Sequence, residues 1–145
     1  MATFQRIVVA TDFSEASSGA VRLACAIAAE SGAELTVLHV CDVPGYVETG
    51  PIPYDLATSF VATAQAHLET LLPELRKACP RVRALVRIGV PWQEINAVAA
   101  EVHADLVVLG THGRRGVARA VLGSVAEHLV RTSPVPVLTV NGVPA

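Results

Sequence analysis

The sequence predicts an α/β fold: a single Rossmann-like domain over residues 1–145, with helices on both faces of a five-stranded parallel sheet in three α/β/α layers. Short apolar runs alternate with helical patterns five times, and no linker or shift of composition interrupts them. The chain has 23 alanines and 23 valines but only six aromatic residues. Small and β-branched side chains of this kind are typical of helices packed on a buried sheet.

The first two predicted strands lie within the first 40 residues. Residues 6–10 form a short β-branched run, which predicts a buried strand. Asp12 and Ser14 are candidate caps for an alanine-rich helix that continues to about Gly32. Residues 35–40 predict the second strand, and residues 41–53, with three prolines and two glycines, predict a loop.

The middle of the chain predicts a long helix and an edge strand. The helical pattern runs from about Tyr54 to Ala78, and Pro73 inside it should kink the helix or divide it in two. Residues 82–88 predict the third strand, in which arginines alternate with apolar residues, as expected at a sheet edge. Pro91 then opens a third helix that continues through Val102.

The last part of the chain predicts two more strands with a helix between them. Residues 106–109 are apolar throughout, whereas residues 135–140 contain Pro136, which fits only an edge strand or a strand start. The last helix should begin near Ser124 and end before Pro134. With strands three and five at the edges, the favoured order is 3-2-1-4-5, and its ligand crevice opens between the carboxyl ends of strands one and four.

Charge and cysteine content exclude several functional classes. The net charge is −2 and Lys77 is the only lysine, so the chain lacks the basic face of nucleic-acid-binding proteins. Three cysteines without CxxC spacing indicate buried thiols rather than disulfides or a zinc site. We expect a cytoplasmic protein without nucleic-acid or membrane partners, because no segment has the pattern of a signal peptide or a membrane span.

A glycine-rich connection follows the fourth strand. It runs from Gly110 to Ser124, far longer than the roughly two to six residues that would suffice. Long connections at this edge of a sheet usually carry a function. Gly123 and Ser124 stand where the last helix begins, and the free amides and positive dipole end of a helix suit phosphate. The connection is therefore a candidate phosphate cradle.

This cradle differs from two common phosphate motifs. GxxxxGK[ST] is excluded because Lys77 precedes Ala78, and the turn after strand one is not GxGxxG. The spacing that remains, Gly110-x2-Gly113-x9-Gly123-Ser124, resembles the nucleotide-binding signature of the universal stress protein family. Further landmarks similar to those of that family extend over nearly the whole chain: Ile7-Val8-Val9-Ala10-Thr11-Asp12-Phe13-Ser14, Leu38-His39-Val40, Gly89-Val90-Pro91 with Glu94-Ile95, and Pro134-Val135-Pro136-Val137.

The resemblance implies an ATP-binding stress-response module, because the chain keeps the glycines and the hydroxyl residue of the members that bind ATP. It implies that Gly113, Gly123 and Ser124 surround the triphosphate, that Asp12 reaches the ribose or adenine, and that the backbone near Val40 contacts the base. It also implies Mg²⁺ or Mn²⁺ bridging the phosphates, and a homodimer through the fifth strand. The nucleotide-binding residues predicted in this way are Ala10, Thr11, Asp12, Val40, Gly110, His112, Gly113, Arg114, Gly123, Ser124 and Val125.

Several of these residues have a simpler interpretation. Ser124 begins the pattern Ser-x-x-Glu and Asp12 the pattern Asp-x-x-Glu, so either residue could serve only as a helix cap. His112 fits a solvent-facing loop as well as a phosphate contact. Arg114 fits a solvated loop face as well as an ion pair with phosphate. Packing or solvent exposure likewise accounts for His39, Trp92, Arg115 and Arg119. We assign no catalytic residue and no metal ligand.

Other functional classes remain as alternatives. A slow ATPase or a nucleotidyl transferase could use the same fold, but the HxGH and SGGxDS patterns are absent, and no evident base would activate water. ATP should therefore be held more readily than hydrolysed. A signalling receiver needs an acidic pair after strand one, an aspartate after strand three and a lysine after strand five; this chain has Asp12 alone, Gly89 and Asn141. A flavin-binding domain would make the purified protein yellow.

Overall fold

The computed structural model describes residues 4–42, 54–111 and 122–141. These residues form five strands and four helices, which are numbered separately in chain order. They are β1 (Arg6–Ala10), α1 (Glu15–Ser31), β2 (Glu34–Cys41), α2 (Tyr54–Ala78), β3 (Val82–Ile88), α3 (Pro91–Glu101), β4 (Leu106–Gly110), α4 (Ser124–Thr132) and β5 (Val137–Val140).

The five strands form one parallel sheet in the order β3-β2-β1-β4-β5. This confirms the predicted fold class, strand order and choice of edge strands. β1 lies at the centre, where Val8 pairs with Thr36 of β2 and Val107 of β4. From β3 the chain returns through α3, passes β2 and β1, and adds β4 on the other side of β1. This crossover reverses the winding direction, so a crevice opens at the carboxyl ends of β1 and β4.

Alternate side chains of the central strands enter two separate cores. Ile7 and Val9 face α1 and α2 on one side of the sheet, whereas Val8 faces α3 and α4 on the other. Small residues on α1, such as Ala20 and Ala24, are fully buried and allow that helix to lie close to the sheet. Both faces are therefore covered, which gives the three-layer α/β/α arrangement and explains why the strands are apolar on both sides.

Local sequence signals account for the ends of α1 and α3. The Ser14 hydroxyl caps α1 by accepting a hydrogen bond from the Ser17 amide at 3.2 Å. Gly32 ends the same helix with φ of +70°, a left-handed conformation that glycine adopts without steric cost. Pro91 occupies the first turn of α3, where a missing amide hydrogen has no consequence.

Two boundary predictions need correction. Of the two alternatives for Pro73, a kink or a division of the helix, division was wrong, because α2 is one continuous helix from Tyr54 to Ala78. Pro73 and Glu69, one turn before it, are both on the exposed side of the helix, where water can replace the hydrogen bond that proline cannot donate. The fifth strand begins at Val137 rather than Val135, because Pro134 and Pro136 cannot donate to the ladder; Pro136 precedes the strand and accepts from the Val107 amide at 3.0 Å.

The three cysteines are buried and free, as predicted. Burial raises the pKa of each thiol above its ordinary value, and the proximity of Cys79 adds to the rise at Cys25. A raised pKa keeps the thiols neutral and unreactive near neutral pH. No helix within the described ranges is long and apolar enough to span a bilayer.

Candidate functional site

A cavity of about 730 Å³ lies at the carboxyl ends of the central strands. It is bordered by the ends of β1, β2 and β4, by the first turn of α4 and by one face of α2. Its position agrees with the crevice that the strand order predicts. Its volume lies in the range typical of small-molecule sites, roughly 300 to 1,000 Å³.

The cavity brings together every predicted binding residue that the structure describes. These residues are Ala10, Thr11, Asp12, Val40, Gly110, Gly123, Ser124 and Val125. The other three, His112, Gly113 and Arg114, lie outside the described residues. Residues distant in sequence thus meet at the carboxyl ends of the strands.

The first turn of α4 presents main-chain amides to the cavity. Gly123 is the N-cap, with φ of −63° and ψ of 161°, and its amide donates to the Thr111 carbonyl at 2.6 Å. The next three amides, of Ser124, Val125 and Ala126, have no hydrogen-bond acceptor among the described residues. Such amides at a helix N-terminus, together with the helix dipole, are suited to an anion.

The alternative in which Ser124 merely caps α4 was wrong. Ser124 is the first residue inside the helix, and the cap position belongs to Gly123, which has no side chain with which to cap. The Ser124 carbonyl accepts a hydrogen bond from His128 Nδ1 at 2.7 Å. The helix therefore begins without a side-chain cap, and its first-turn amides remain available to a ligand.

Thr111 fixes the start of α4 to the ends of β4 and β5. Its carbonyl accepts from Gly123, and its amide donates to the Val140 carbonyl at 2.9 Å. The Thr111 hydroxyl donates to Asn141 Oδ1 at 3.1 Å. These bonds hold the α4 amides in a defined position at the carboxyl ends of β4 and β5.

The turn between β1 and α1 forms a second wall of the cavity. The Asp12 carboxylate accepts hydrogen bonds from the amide and hydroxyl of Ser14, so Asp12 orients the capping residue and is not itself the cap. Phe13 has φ of +65°, an unfavourable conformation for a bulky residue. The Phe13 amide donates to Thr11 Oγ1 at 3.0 Å, which stabilises this conformation.

Several residues of the cavity were missed by the sequence analysis. His39, interpreted there as a packing residue, lines the cavity, and its Nδ1 donates to the Thr11 carbonyl at 2.8 Å. The Phe13 ring lies 4.5 Å from the His39 ring and 4.6 Å from the His67 ring, measured between centroids. Phe60 of α2 also lines the cavity. The one sequence signal for Phe60 and His67 is their spacing of seven residues, which places them on the same face of a helix.

The remaining predictions concern metals and packing. The described residues contain no group of three or more His, Cys, Asp or Glu side chains that could hold a metal ion. The carboxylates of Asp12 and Asp42 border the cavity without forming such a group. Trp92 lies outside the cavity lining and stacks on His128, with ring centroids 5.0 Å apart. This agrees with its interpretation as a packing residue.

Comparison with known proteins gives consistent results. The family model described as "Universal stress protein family" matches residues 3–141. Universal stress protein MJ0531 of Methanocaldococcus jannaschii is 34% identical, over 95% of this chain and 82% of its own. The universal stress protein UspA from Lactobacillus plantarum has a similar structure, with a TM-score of 0.82, 25% identity and coverage of 97% and 100% of the two chains.

Two further similar structures are complexes with adenine nucleotides. The universal stress protein from Archaeoglobus fulgidus in complex with dAMP has a TM-score of 0.68 and 25% identity, covering 93% of this chain and 96% of that one. A universal stress protein in complex with cAMP has a TM-score of 0.65 and 28% identity, covering 97% and 98%. On the family match, the sequence identity and the shared fold, this chain belongs to the universal stress protein family.

Proposed function

We propose that this universal stress protein binds ATP in the cavity at the carboxyl edge of its sheet. The observation that carries the proposal is the first turn of α4, where the amides of Ser124, Val125 and Ala126 open on the cavity without acceptors among the described residues. A triphosphate supplies anionic acceptors for such amides. The dAMP and cAMP complexes of related proteins support an adenine nucleotide as the ligand class.

Each part of the nucleotide has a proposed partner. The triphosphate lies on the amides of Gly123, Ser124 and Val125. The contacts predicted for Gly113, His112 and Arg114 complete its binding. Asp12 is directed by Ser14 and accepts hydrogen bonds from the ribose or adenine. The main chains of Ala10, Thr11 and Gly110 border the nucleotide, and the main chain near Val40 contacts the base.

A divalent cation, Mg²⁺ or Mn²⁺, accompanies the nucleotide in this proposal. The phosphate oxygens supply its ligands, because the described residues contain no cluster of three or more metal-ligating side chains. When bound, the ion neutralises phosphate charge and thereby strengthens binding. Asp12 and Asp42 would otherwise repel the phosphates from the nearby cavity wall.

We propose that the protein holds ATP as a regulatory module and hydrolyses it slowly or not at all. The described hydroxyl groups beside the α4 amides belong to Ser124 and Thr111, and neither hydroxyl is a base at neutral pH. The cavity imidazoles, His39 and His67, lie on the β2 and α2 side, as does Asp42 at the end of β2. The Asp12 carboxylate accepts two hydrogen bonds from Ser14. Activation of an attacking water needs a base within hydrogen-bond reach of that water.

We also propose that two copies pair through β5 in the cytoplasm. All four residues of β5 are only half-buried. The Pro136 and Val140 carbonyls bond inward to β4, so the main-chain groups of Val137 and Thr139 face outward and can pair with a second strand. Sedimentation velocity tests this part: a dimer supports it, and a monomer at all accessible concentrations contradicts it.

The nucleotide released from the purified protein tests the central proposal. Denaturation followed by ion-exchange chromatography should release an adenine nucleotide, with ATP predominant. Calorimetry on stripped protein with ATP and Mg²⁺ should then give a saturable heat with one site per chain. Protein that carries no nucleotide and gives no heat would show that the cavity has another use.

A further inference from the structure

One face of α2 brings two exposed rings to the cavity. Phe60, Thr63, Ala64 and His67 are spaced i, i+3, i+4 and i+7, so they share one face of the helix, and all four line the cavity. Phe60 is 39% exposed although it is one of only three phenylalanines. Ala64, which lies between Phe60 and His67 in the helix, is buried and packs with Cys41 and Phe13. The apolar and aromatic surface of this face is therefore directed at the ligand space.

A column of rings fixes the position of His67. The Phe13 ring is tilted by 32° against His39 and meets His67 edge-on, at 68°. His39 is anchored in turn by its hydrogen bond to the Thr11 carbonyl. The left-handed conformation of Phe13 places its ring between the two imidazoles, an arrangement whose backbone strain must be offset by these contacts. His67 is thus held in place across the gap between α2 and the β1–α1 turn.

The topology decides which part of a ligand meets these rings. α4 follows β4 on one side of β1, whereas α2 follows β2 on the other side. A nucleotide whose phosphates lie on the α4 amides therefore crosses the carboxyl end of β1 and extends its base toward α2. The rings of Phe60 and His67 face the base end of the cavity, and the amides face the phosphate end.

We propose that the α2 face formed by Phe60, Thr63 and His67 is a stacking wall for the nucleobase, which makes the site selective for nucleotides over inorganic polyphosphates. This inference rests on the proposed nucleotide function and extends it to residues outside the glycine signature. Stacking uses the π-face that every base has, so the wall favours an aromatic base without distinguishing adenine from guanine. Discrimination between bases belongs to other contacts.

Calorimetry with paired ligands tests the wall. Phe60→Ala should weaken ATP and GTP binding by about tenfold each, the effect of losing one stacked ring, and should leave tripolyphosphate binding unchanged. His67→Ala should weaken ATP binding about fivefold, whereas His67→Phe should retain wild-type affinity because it keeps a ring. Leu56→Ala is the matched control, since Leu56 is 44% exposed on the same helix and does not line the cavity.

The outcomes separate the wall from the site itself. If Phe60→Ala binds ATP with unchanged affinity while Gly123→Val binds it more weakly, the proposed ATP-binding function stands and the stacking wall is wrong. An equal loss in Phe60→Ala and Leu56→Ala, or an equal loss for ATP and tripolyphosphate, would also overturn it. Wild-type protein that binds neither ATP nor tripolyphosphate would refute both proposals. Because Phe60 is exposed, its truncation should leave the melting temperature nearly unchanged, which checks folding.

Discussion

The two ends of the parallel sheet satisfy their polar groups in opposite ways. At the amino end, Asp105 accepts hydrogen bonds from the amides of Gln5 and Arg6 at 2.8 and 3.1 Å. Glu34 pairs there with Arg81 at 2.8 Å and with Arg6 at 3.6 Å. At the carboxyl end, three α4 amides have no acceptor among the described residues, and exposed rings line a cavity. The amino end pairs its polar groups within the protein, whereas the carboxyl end borders the cavity in which we propose that a nucleotide binds.

The residues with positive φ differ between the two ends of the sheet in the same way. At the amino end, α1 and α3 finish with left-handed residues, Gly32 and His103. Beyond them the amides of Ala33 and Ala104 bond back to carbonyls in the last helical turns, so the positive φ angles serve helix termination. Phe13, at the carboxyl end, precedes a helix instead of ending one. Its positive φ places its ring between His39 and His67 at the cavity, which is the kind of backbone strain that is common at binding sites.

The comparison of the two sheet ends predicts its largest effect, a loss of ATP affinity, for Gly123→Val at the carboxyl end. The backbone angles of Gly123 suit valine, so the fold should be retained. The added methyl groups would cover the neighbouring amides and remove about two charge-assisted hydrogen bonds to phosphate, which corresponds to a loss of at least about 150-fold in affinity. Calorimetry with ATP and with tripolyphosphate measures the loss, and both ligands should be affected equally.

Two controls accompany this variant. Gly123→Ala adds a smaller group and should give an intermediate loss, while the melting temperature of all three proteins without ligand should agree. Adenosine, which lacks phosphate, should bind wild type and Gly123→Val with the same affinity. Wild-type affinity for ATP in Gly123→Val would remove the α4 terminus from the site.

The opposite outcome is expected at the amino end, for Asp105→Ala. The substitution leaves the amides of Gln5 and Arg6 without their carboxylate acceptor and should lower the free energy of unfolding by about 2 kcal/mol. Urea denaturation measures this loss. ATP affinity should not change, because the five residues of β1 place the cavity about 16 Å away.

Asp105→Asn is the matched control for this prediction. Asparagine keeps one acceptor oxygen in place of two, so about half of the destabilisation should remain. Nucleotide affinity that falls together with stability in this series would mean that the two ends of the sheet are coupled, and the division of roles would be wrong.

The same division explains which features could be predicted from the sequence. Strand order followed from Pro136 and the alternating arginines of β3, because edge positions impose local constraints that a sequence displays directly. The position of Gly110, Gly123 and Ser124 beside the cavity could be predicted, because main-chain contacts to a ligand require glycines at fixed spacing, whereas the phosphate contact itself stays a prediction. The rings of Phe60 and His67 were missed, since a helical apolar stripe has the same spacing whether it packs on a core or borders a cavity. The positive φ of Phe13 could not be predicted, because glycine is the residue that usually indicates such a conformation and position 13 is a phenylalanine.

The smallest expected effect is on stability. Glu34→Gln tests it by removing one charge at the amino end of the sheet. The hydrogen bond and charge of Arg81, with a further contribution from Arg6, hold the pKa of the exposed Glu34 below its ordinary value. A lowered folded-state pKa contributes stability that is present above the unfolded-state pKa, about 4.3, and is lost as the pH falls through the folded-state value. Wild type should therefore be slightly more stable than Glu34→Gln at pH 7, and the difference should shrink below about pH 4. Urea midpoints measured at both pH values provide the test, and a difference that is independent of pH would show that the ion pairs of this end do not contribute to stability.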